Sequence, residues 1–424
     1  MIDIQKINEL IGVDESFKAS DRLYKLLMSD KKDELFKSFL AIESDLTYDW
    51  FTDYYQEEHS DRKKNKQDFT PDGVVELVNQ LLGSSKVIAD ICAGTGGLTI
   101  KRWSTNRESS FYCEEFSDRA MPFLLFNLAI RNINAYIFHG DSLSRKVKHL
   151  YKLSKQEQFS KIEIVDELPE SKADTVVMNP PYSFTWQPDV KMLEQERFKQ
   201  FEVLAPKSKA DYAFLLEGYN RLSDDGTMAI ILPHGVLFRG QAEGKIRERL
   251  IELNALDAVI GLPAKLFLNT DIPTVILILK KKREDKKIFF IDAAKEFEKG
   301  KNHNYLKQEH VDKIIKAYKS RKKIDKFSDD ISRYLIEENE FNLNIPRYID
   351  TFEPEEVPSL YEITKEMRKI DKQIEENAIE FGNMLDDLVG TTPSMDKELK
   401  HFTKYWQEKY SKDSKDRERQ LTLW

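Results

Sequence analysis

The chain has 424 residues, 40% of them apolar, enough for two or three domains and at least one large core. Its 66 Lys and Arg stand against 74 Asp and Glu, a net charge of -8, which excludes nucleic-acid binding by bulk charge and confines any such contact to a local patch or a partner. Two cysteines and seven scattered histidines supply neither a disulfide framework nor metal-ligand spacing, and no basic leader or membrane-length apolar run is present, so a reduced, cytoplasmic protein is expected.

From Ile2 to about Asp61, apolar residues recur every three or four positions among charges, as in DRLYKLLMSDKKDELFKSFL. This predicts a small helical region over 1–65. The polar run HSDRKKNKQD reads as an exposed linker. From Thr70 to about Lys282, short β-branched or aromatic runs (KVIADI, SFYCEE, NAYIFH, DTVVMN, GTMAIILP, LDAVIGL, PTVILILK) alternate with helical stretches such as DRAMPFLLFNLAIRN and ADYAFLLEGYNRL. The alternation predicts an α/β fold over 66–285, with a mainly parallel sheet covered on both faces. Residues 286–352 read as a mixed extension of that domain. Residues 353–424 read as helical, with Leu360, Ile363, Met367, Ile370, Ile374, Ala378, Phe381, Leu385 and Leu388 on one stripe that invites a partner helix. The basic runs beginning at Lys280 and Lys319 read as solvated faces.

The first strand of this region runs into DICAGTGGLTI, where Gly94, Gly96 and Gly97 supply a turn that brings backbone close to a ligand before a helix begins. Such a loop fits dinucleotides, phosphates or S-adenosylmethionine alike. No Gly-Lys-Ser/Thr follows, which disfavours a nucleoside triphosphatase. The next strand ends in Glu114-Glu115, and a carboxylate there takes both hydroxyls of a ribose. Further on, the apolar run Val176-Val177-Met178 stops at Asn179-Pro180-Pro181-Tyr182, two prolines that cannot continue a central strand between a planar amide and a flat ring. A stiff segment of that kind suits gripping something flat and polar, and dinucleotide enzymes do not carry it. Cys92 and Cys113 read as small core residues, His139 and His234 as loop histidines, and Phe184 and Trp186 equally as pocket wall or core.

In this order FTPDGVVELV, DICAGTGGLT, HGDSL and NPPY resemble the motifs of amino-group DNA methyltransferases. RFKQFEVLAPKSKADYAFLLEG, ILPHGVLFRGQAEGKIRERLIE, LDAVIGLPAKLF and ENEFNLNIPRYID resemble, more narrowly, the modification subunit of type I restriction-modification systems, over roughly Gln67 to Asp350. The resemblance implies a doubly wound, Rossmann-like methyltransferase fold, S-adenosylmethionine as methyl donor, and as acceptor the N6 amino group of an adenine flipped from duplex DNA. It also implies a separate specificity subunit against the C-terminal helices, and a second modification subunit and a restriction subunit in the wider assembly.

By the same resemblance the catalytic set is Asn179, Pro180, Pro181 and Tyr182. The Asn179 side-chain oxygen and the Pro180 carbonyl would accept the amino hydrogens, and Tyr182 would stack on the base. The cofactor set is Gln67, Phe69, Thr70 and Pro71 near the methionine end, and Asp90 beside the bound amino acid. Ala93, Gly94, Thr95, Gly96 and Gly97 form the loop beneath. Glu115 rather than Glu114 would hold the ribose, and Asp141 would lie at the adenine, although Asp before Ser also suits a turn or cap. No metal is implied. Two other readings stand beside this one: methylation of protein glutamine, whose amide fits the same grip, and a catalytically silent scaffold. The chain departs from the family in carrying Tyr182 where Phe is commoner. Its lead-in before Thr70 is short, implying a DNA clamp that is reduced or supplied by another chain.

Overall fold

A computed structural model describes residues 2–58, 69–268, 270–351 and 359–410. The chain forms two compact units, Met1–Thr351 and Phe352–Trp424.

The first unit is built on one eleven-stranded sheet. Its strands are β1 (Val87–Ile91), β2 (Ser110–Glu115), β3 (Ala135–Gly140), β4 (Val147–Ser154), β5 (Lys161–Ile164), β6 (Ala173–Met178), β7 (Leu222–Pro233), β8 (Leu256–Gly261), β9 (Thr274–Lys280), β10 (Ile288–Asp292) and β11 (Ser328–Ile331). They lie in the order β11-β10-β8-β9-β7-β6-β1-β2-β3-β4-β5. The chain therefore runs outward from β1 through β2 and β3, then returns to the other side of β1 as β6. This reversal is the switch point at which open α/β sheets bind ligands, beyond the carboxyl ends of their strands. Asp90 pairs with Val177 and Ile91 with Met178, so the loop after β1 and the prolines after β6 leave the sheet side by side.

The expectation of a mainly parallel sheet holds for β7-β6-β1-β2-β3 and for β8 with β10, but not for the rest. The β3-β4-β5 meander, β9 and β11 pair antiparallel. Strands β4 and β5 are dense in Lys and His, and half their residues or more are exposed or only partly covered. That composition hid them from a search for apolar runs.

Alternation along the inner strands sends side chains into two layers. Ala89, Ile91, Val176 and Met178 face the helix Asp211–Arg221, while Ile88 and Val177 face the opposite side. Both faces are covered, which explains the near-continuous apolar strands. The helix Met121–Ile130 is buried at every residue. A helix apolar all round needs cover on every side. Here the sheet lies on one side and the N-terminal helices on the other: Phe126 meets Phe36 at 5.0 Å, Phe39 at 4.7 Å and Phe51 at 5.1 Å in edge-to-face contacts. The basic runs at Lys280 and Lys319 are partly structural, since Lys280, Arg283 and Arg321 converge on the buried Asp257.

In the second unit, helices Leu360–Asp386 and Pro393–Tyr410 pair through Phe381 on Trp406 (5.0 Å) and a bond from Trp406 Nε1 to the Ala378 carbonyl (2.9 Å). Ser359 and Glu362 form a capping box at the start of the long helix. The long helix has 27 residues and the short one 18. Of the expected stripe Ala378 and Leu385 are buried, while Met367, Ile370, Ile374 and Leu388 are each more than half exposed.

Candidate active site

Residues 92–97 turn sharply from β1 into the helix Gly97–Thr105. Gly94 (φ 59°) and Gly96 (φ 100°) take left-handed conformations that glycine alone adopts without strain, and Cys92 (φ 71°) shares the turn. A Cβ on Gly97 would meet nothing within 4 Å, because it would project into open space. That space is a cavity of about 150 Å³. Of the expected residues, Phe69, Thr70, Ala93, Gly94, Gly97, Glu115, Asp141, Asn179 and Pro181 line it.

The others stand elsewhere. Pro71 precedes the helix Asp72–Leu82, and Gly96 lies under the loop against Leu124. Thr95 turns its hydroxyl away from the cavity to Asp49. Asp90 lies below the wall, 1% exposed, with Oδ2 accepting from Thr99 (2.6 Å) and Oδ1 without a hydrogen-bond partner among the described residues. Pro180 is not part of the cavity wall, nor is Tyr182, whose ring packs edge-on against Phe267 at 5.7 Å. Gln67 lies outside the described residues. The wall also holds Thr52, Cys92, Leu98, Phe116, Ser142, Phe184 and Phe214. Cys92 is thus a wall residue rather than core, because its left-handed backbone turns it out of the strand pattern. Trp186 is core, 5% exposed, and Phe184 is wall.

Strand alternation separates the two glutamates. Glu115 faces the cavity, and its carboxylate accepts from the backbone N–H of Ser117 (2.6 Å) and Gly94 (2.7 Å). Glu114 points to the other face and pairs with Arg145 through both oxygens at 2.8 Å and with Arg221 at 3.3 Å. Burial pushes Glu115 up to about 7, against the two N–H groups that favour its charged form. Burial likewise raises Asp90 to about 6. Asp141 does two things at once: it lines the cavity and caps the turn that follows, accepting from Leu143 N (2.9 Å) and Ser144 Oγ (2.6 Å).

Among the described residues that line the cavity there is no Lys, Arg or His, while two carboxylates stand there. Phosphate groups seek cations and backbone N–H groups, so this wall disfavours a dinucleotide or nucleotide phosphate. It suits a ligand that brings hydroxyls and positive charge. Asn179 and Glu115 reach the same space from opposite sides of the switch point.

Sequence reasoning missed Asp49. Its carboxylate accepts from the hydroxyls of Thr95 and Thr52, from Asn127 Nδ2 (2.7 Å) and from Phe51 N (2.9 Å). Asn127 Nδ2 also bonds the Thr95 carbonyl (2.8 Å). The N-terminal helices thereby hold the cofactor-type loop. No local pattern in TYDWF signals that role, since the partners lie 46 and 78 positions away.

A doubly wound sheet with this loop after its first strand and Asn-Pro-Pro-Tyr after the neighbouring strand defines the Rossmann-like methyltransferase class. A family model described as N-6 DNA methylase matches residues 44–357, and the chain belongs to that family. It is 34% identical over 306 residues to the type I restriction enzyme MpnII methylase subunit of Mycoplasma pneumoniae, a match covering 68% of this chain and 54% of that protein. It is 30% identical over 360 residues to the MjaVIII methylase subunit of Methanocaldococcus jannaschii, covering 81% and 59%. The chain thus spans somewhat over half the length of these curated relatives. The crystal structure of a type I restriction-modification methyltransferase subunit from Streptococcus thermophilus is 35% identical, with a TM-score of 0.63 over 82% of this chain and 76% of that one.

Proposed function

We propose that this protein transfers a methyl group from S-adenosylmethionine to the N6 amino group of adenine in DNA, as the modification subunit of a type I restriction-modification assembly. The observation that carries the reading is the single cavity shared by Gly94, Glu115 and Asn179. In this reading Glu115 takes the ribose hydroxyls, Asp90 beneath the loop supports the ammonium end from below the wall, and Phe69 and Thr70 close the methionine side. The cofactor, when bound, supplies an electrophilic methyl group on a sulfonium.

The adenine amino lone pair is delocalised into the ring and is a poor nucleophile. Asn179 Oδ1 and the Pro180 carbonyl accept its two hydrogens, drawing the nitrogen toward tetrahedral geometry and aiming the lone pair at the methyl. Positioning and fixed dipoles supply most of the acceleration. Tyr182 stacks on the flipped base and recovers part of an unstacking cost of about a few kcal/mol. Cys92 is not a nucleophile in this scheme, since burial pushes its thiol well above the usual range and keeps it protonated. The exposed stripe from Met367 to Ile374 takes a specificity subunit, which chooses the sequence; a second modification subunit and a restriction subunit complete the assembly. Such an assembly works in the cytoplasm.

The test is transfer of labelled methyl groups by this chain purified with the product of its neighbouring reading frame, followed by nucleoside analysis. N6-methyladenine is expected. Label on cytosine, on protein glutamine alone, or on no acceptor would sink the reading.

A further inference from the structure

Both ends of the Asn179 carboxamide are engaged. Its Nδ2 donates to the Thr70 hydroxyl (3.0 Å), and its Oδ1 accepts from the Tyr182 hydroxyl (2.9 Å). Thr70 also lines the donor cavity, immediately before the N-terminal end of the helix Asp72–Leu82, which favours negative charge. Thr70 therefore touches the donor site and the acceptor amide at once.

A hydroxyl carries one hydrogen and two lone pairs, so Thr70 can either donate to the amide or accept from it. If it donates, the amide oxygen turns toward Thr70 and the NH2 faces the incoming base, donor against donor. If its hydrogen is already given to an anion in the cavity, only lone pairs remain for Asn179. They take the NH2, and Oδ1 points to where an amino group must arrive.

The geometry points to Thr70 as a positioning residue that fixes which end of the Asn179 carboxamide faces the substrate base. It does so by accepting from Nδ2, an orientation that the carboxylate of an amino-acid-bearing cofactor held beside it would lock by taking the hydroxyl hydrogen. Tyr182 occupies Oδ1 until the base enters, and then releases it to stack. Donor binding thus reinforces the acceptor site through the Thr70 hydroxyl. The inference rests on the methyl-transfer reading above and adds to Thr70 a task beyond holding the cofactor.

Three variants test it in the full chain with its specificity partner. Transfer to DNA is measured at saturating cofactor, and S-adenosylhomocysteine affinity is measured separately by calorimetry. Thr70→Val is expected to slow transfer about 100-fold, as loss of one aligned transition-state dipole does. Its S-adenosylhomocysteine affinity should fall only about 10-fold or less, the size of one hydrogen bond. Thr70→Ser, which keeps the hydroxyl, should restore most of the rate. Tyr182→Phe keeps the ring and removes the hydroxyl that donates to Oδ1, so the KM for DNA should fall.

A Thr70→Val enzyme with the wild-type rate at saturation and only weakened cofactor binding would overturn the inference. So would a Thr70→Ser enzyme as slow as Thr70→Val. A wild-type complex that methylates no adenine would instead strike the functional reading itself, so the two failures are distinguishable.

Discussion

The donor cavity and the C-terminal helical pair treat their surfaces in opposite ways. Around the Gly94–Gly97 loop, polar groups are answered from within the chain: Asp49 gathers two hydroxyls, an amide and a backbone N–H, and Glu115 gathers two backbone N–H groups. Asp90 Oδ1 is the exception, buried below the cavity wall without a hydrogen-bond partner among the described residues. The helical pair leaves apolar surface uncovered, with Ile370 and Ile374 each 52% exposed and Met367 58% exposed. Around the loop the chain satisfies its polar groups itself, whereas the exposed apolar stripe of the helical pair is the kind of surface that interaction sites present.

That contrast can be broken most sharply at Asn179. Asn179→Ala should lower methyl transfer by about 100-fold to 1,000-fold, the loss seen when one aligned dipole is removed from a transition state. Calorimetry should find S-adenosylhomocysteine binding nearly intact. Next comes the other side of the comparison. Replacing Ile370 and Ile374 together by Lys should abolish co-purification with the specificity subunit, since burying each isoleucine is worth about 1.5–3 kcal/mol. Cofactor affinity should not change, and a variant that loses both would merge the two regions into one.

Asp49→Asn should cost about 1–3 kcal/mol in denaturant unfolding, because its NH2 would face either the Thr95 and Thr52 hydroxyls or the Asn127 amide and Phe51 N–H. Cofactor affinity should weaken with it. A neutral result would separate the N-terminal helices from the donor loop.

The smallest effect is in pH. Glu115 moves from an ordinary 4.5 to about 7, so the folded state binds more protons between those values. Its contribution to stability is fully present below about 4.5 and is lost as pH rises through about 7. Asp90 acts with the same sign between 3.8 and about 6. Accepting ribose hydroxyls and facing an ammonium favour the charged forms, so cofactor affinity should rise over the interval in which apo stability falls. Glu115→Gln should flatten both slopes, as read by thermal shift and calorimetry across pH 4 to 8.

The sheet's inner strands were legible because burial on both faces writes them as unbroken apolar runs, Val176-Val177-Met178 among them. Alternation required that only one of Glu114 and Glu115 enter the cavity, and the choice of Glu115 came from the family resemblance, not from the strand itself. The meander β4-β5 was not legible, since a strand with one wet face and many lysines looks like loop. Asp49 was invisible for a different reason: its meaning lies in partners brought near by Phe36, Phe39 and Phe51 packing on Phe126, and long-range closure leaves no periodic trace. Tyr182 shows the limit from the other side. Its ring was expected on a base, and it packs on Phe267 while donating its hydroxyl to Asn179.

The exposed Met367, Ile370 and Ile374 of the long helix have a consequence for how the cell makes this chain. They form an apolar ribbon that water solvates poorly. Copies synthesised in excess offer that ribbon to one another, so their solubility falls as their number grows. Balanced production with the matching helix is then a condition of yield, set by the hairpin rather than by the chemistry it accompanies.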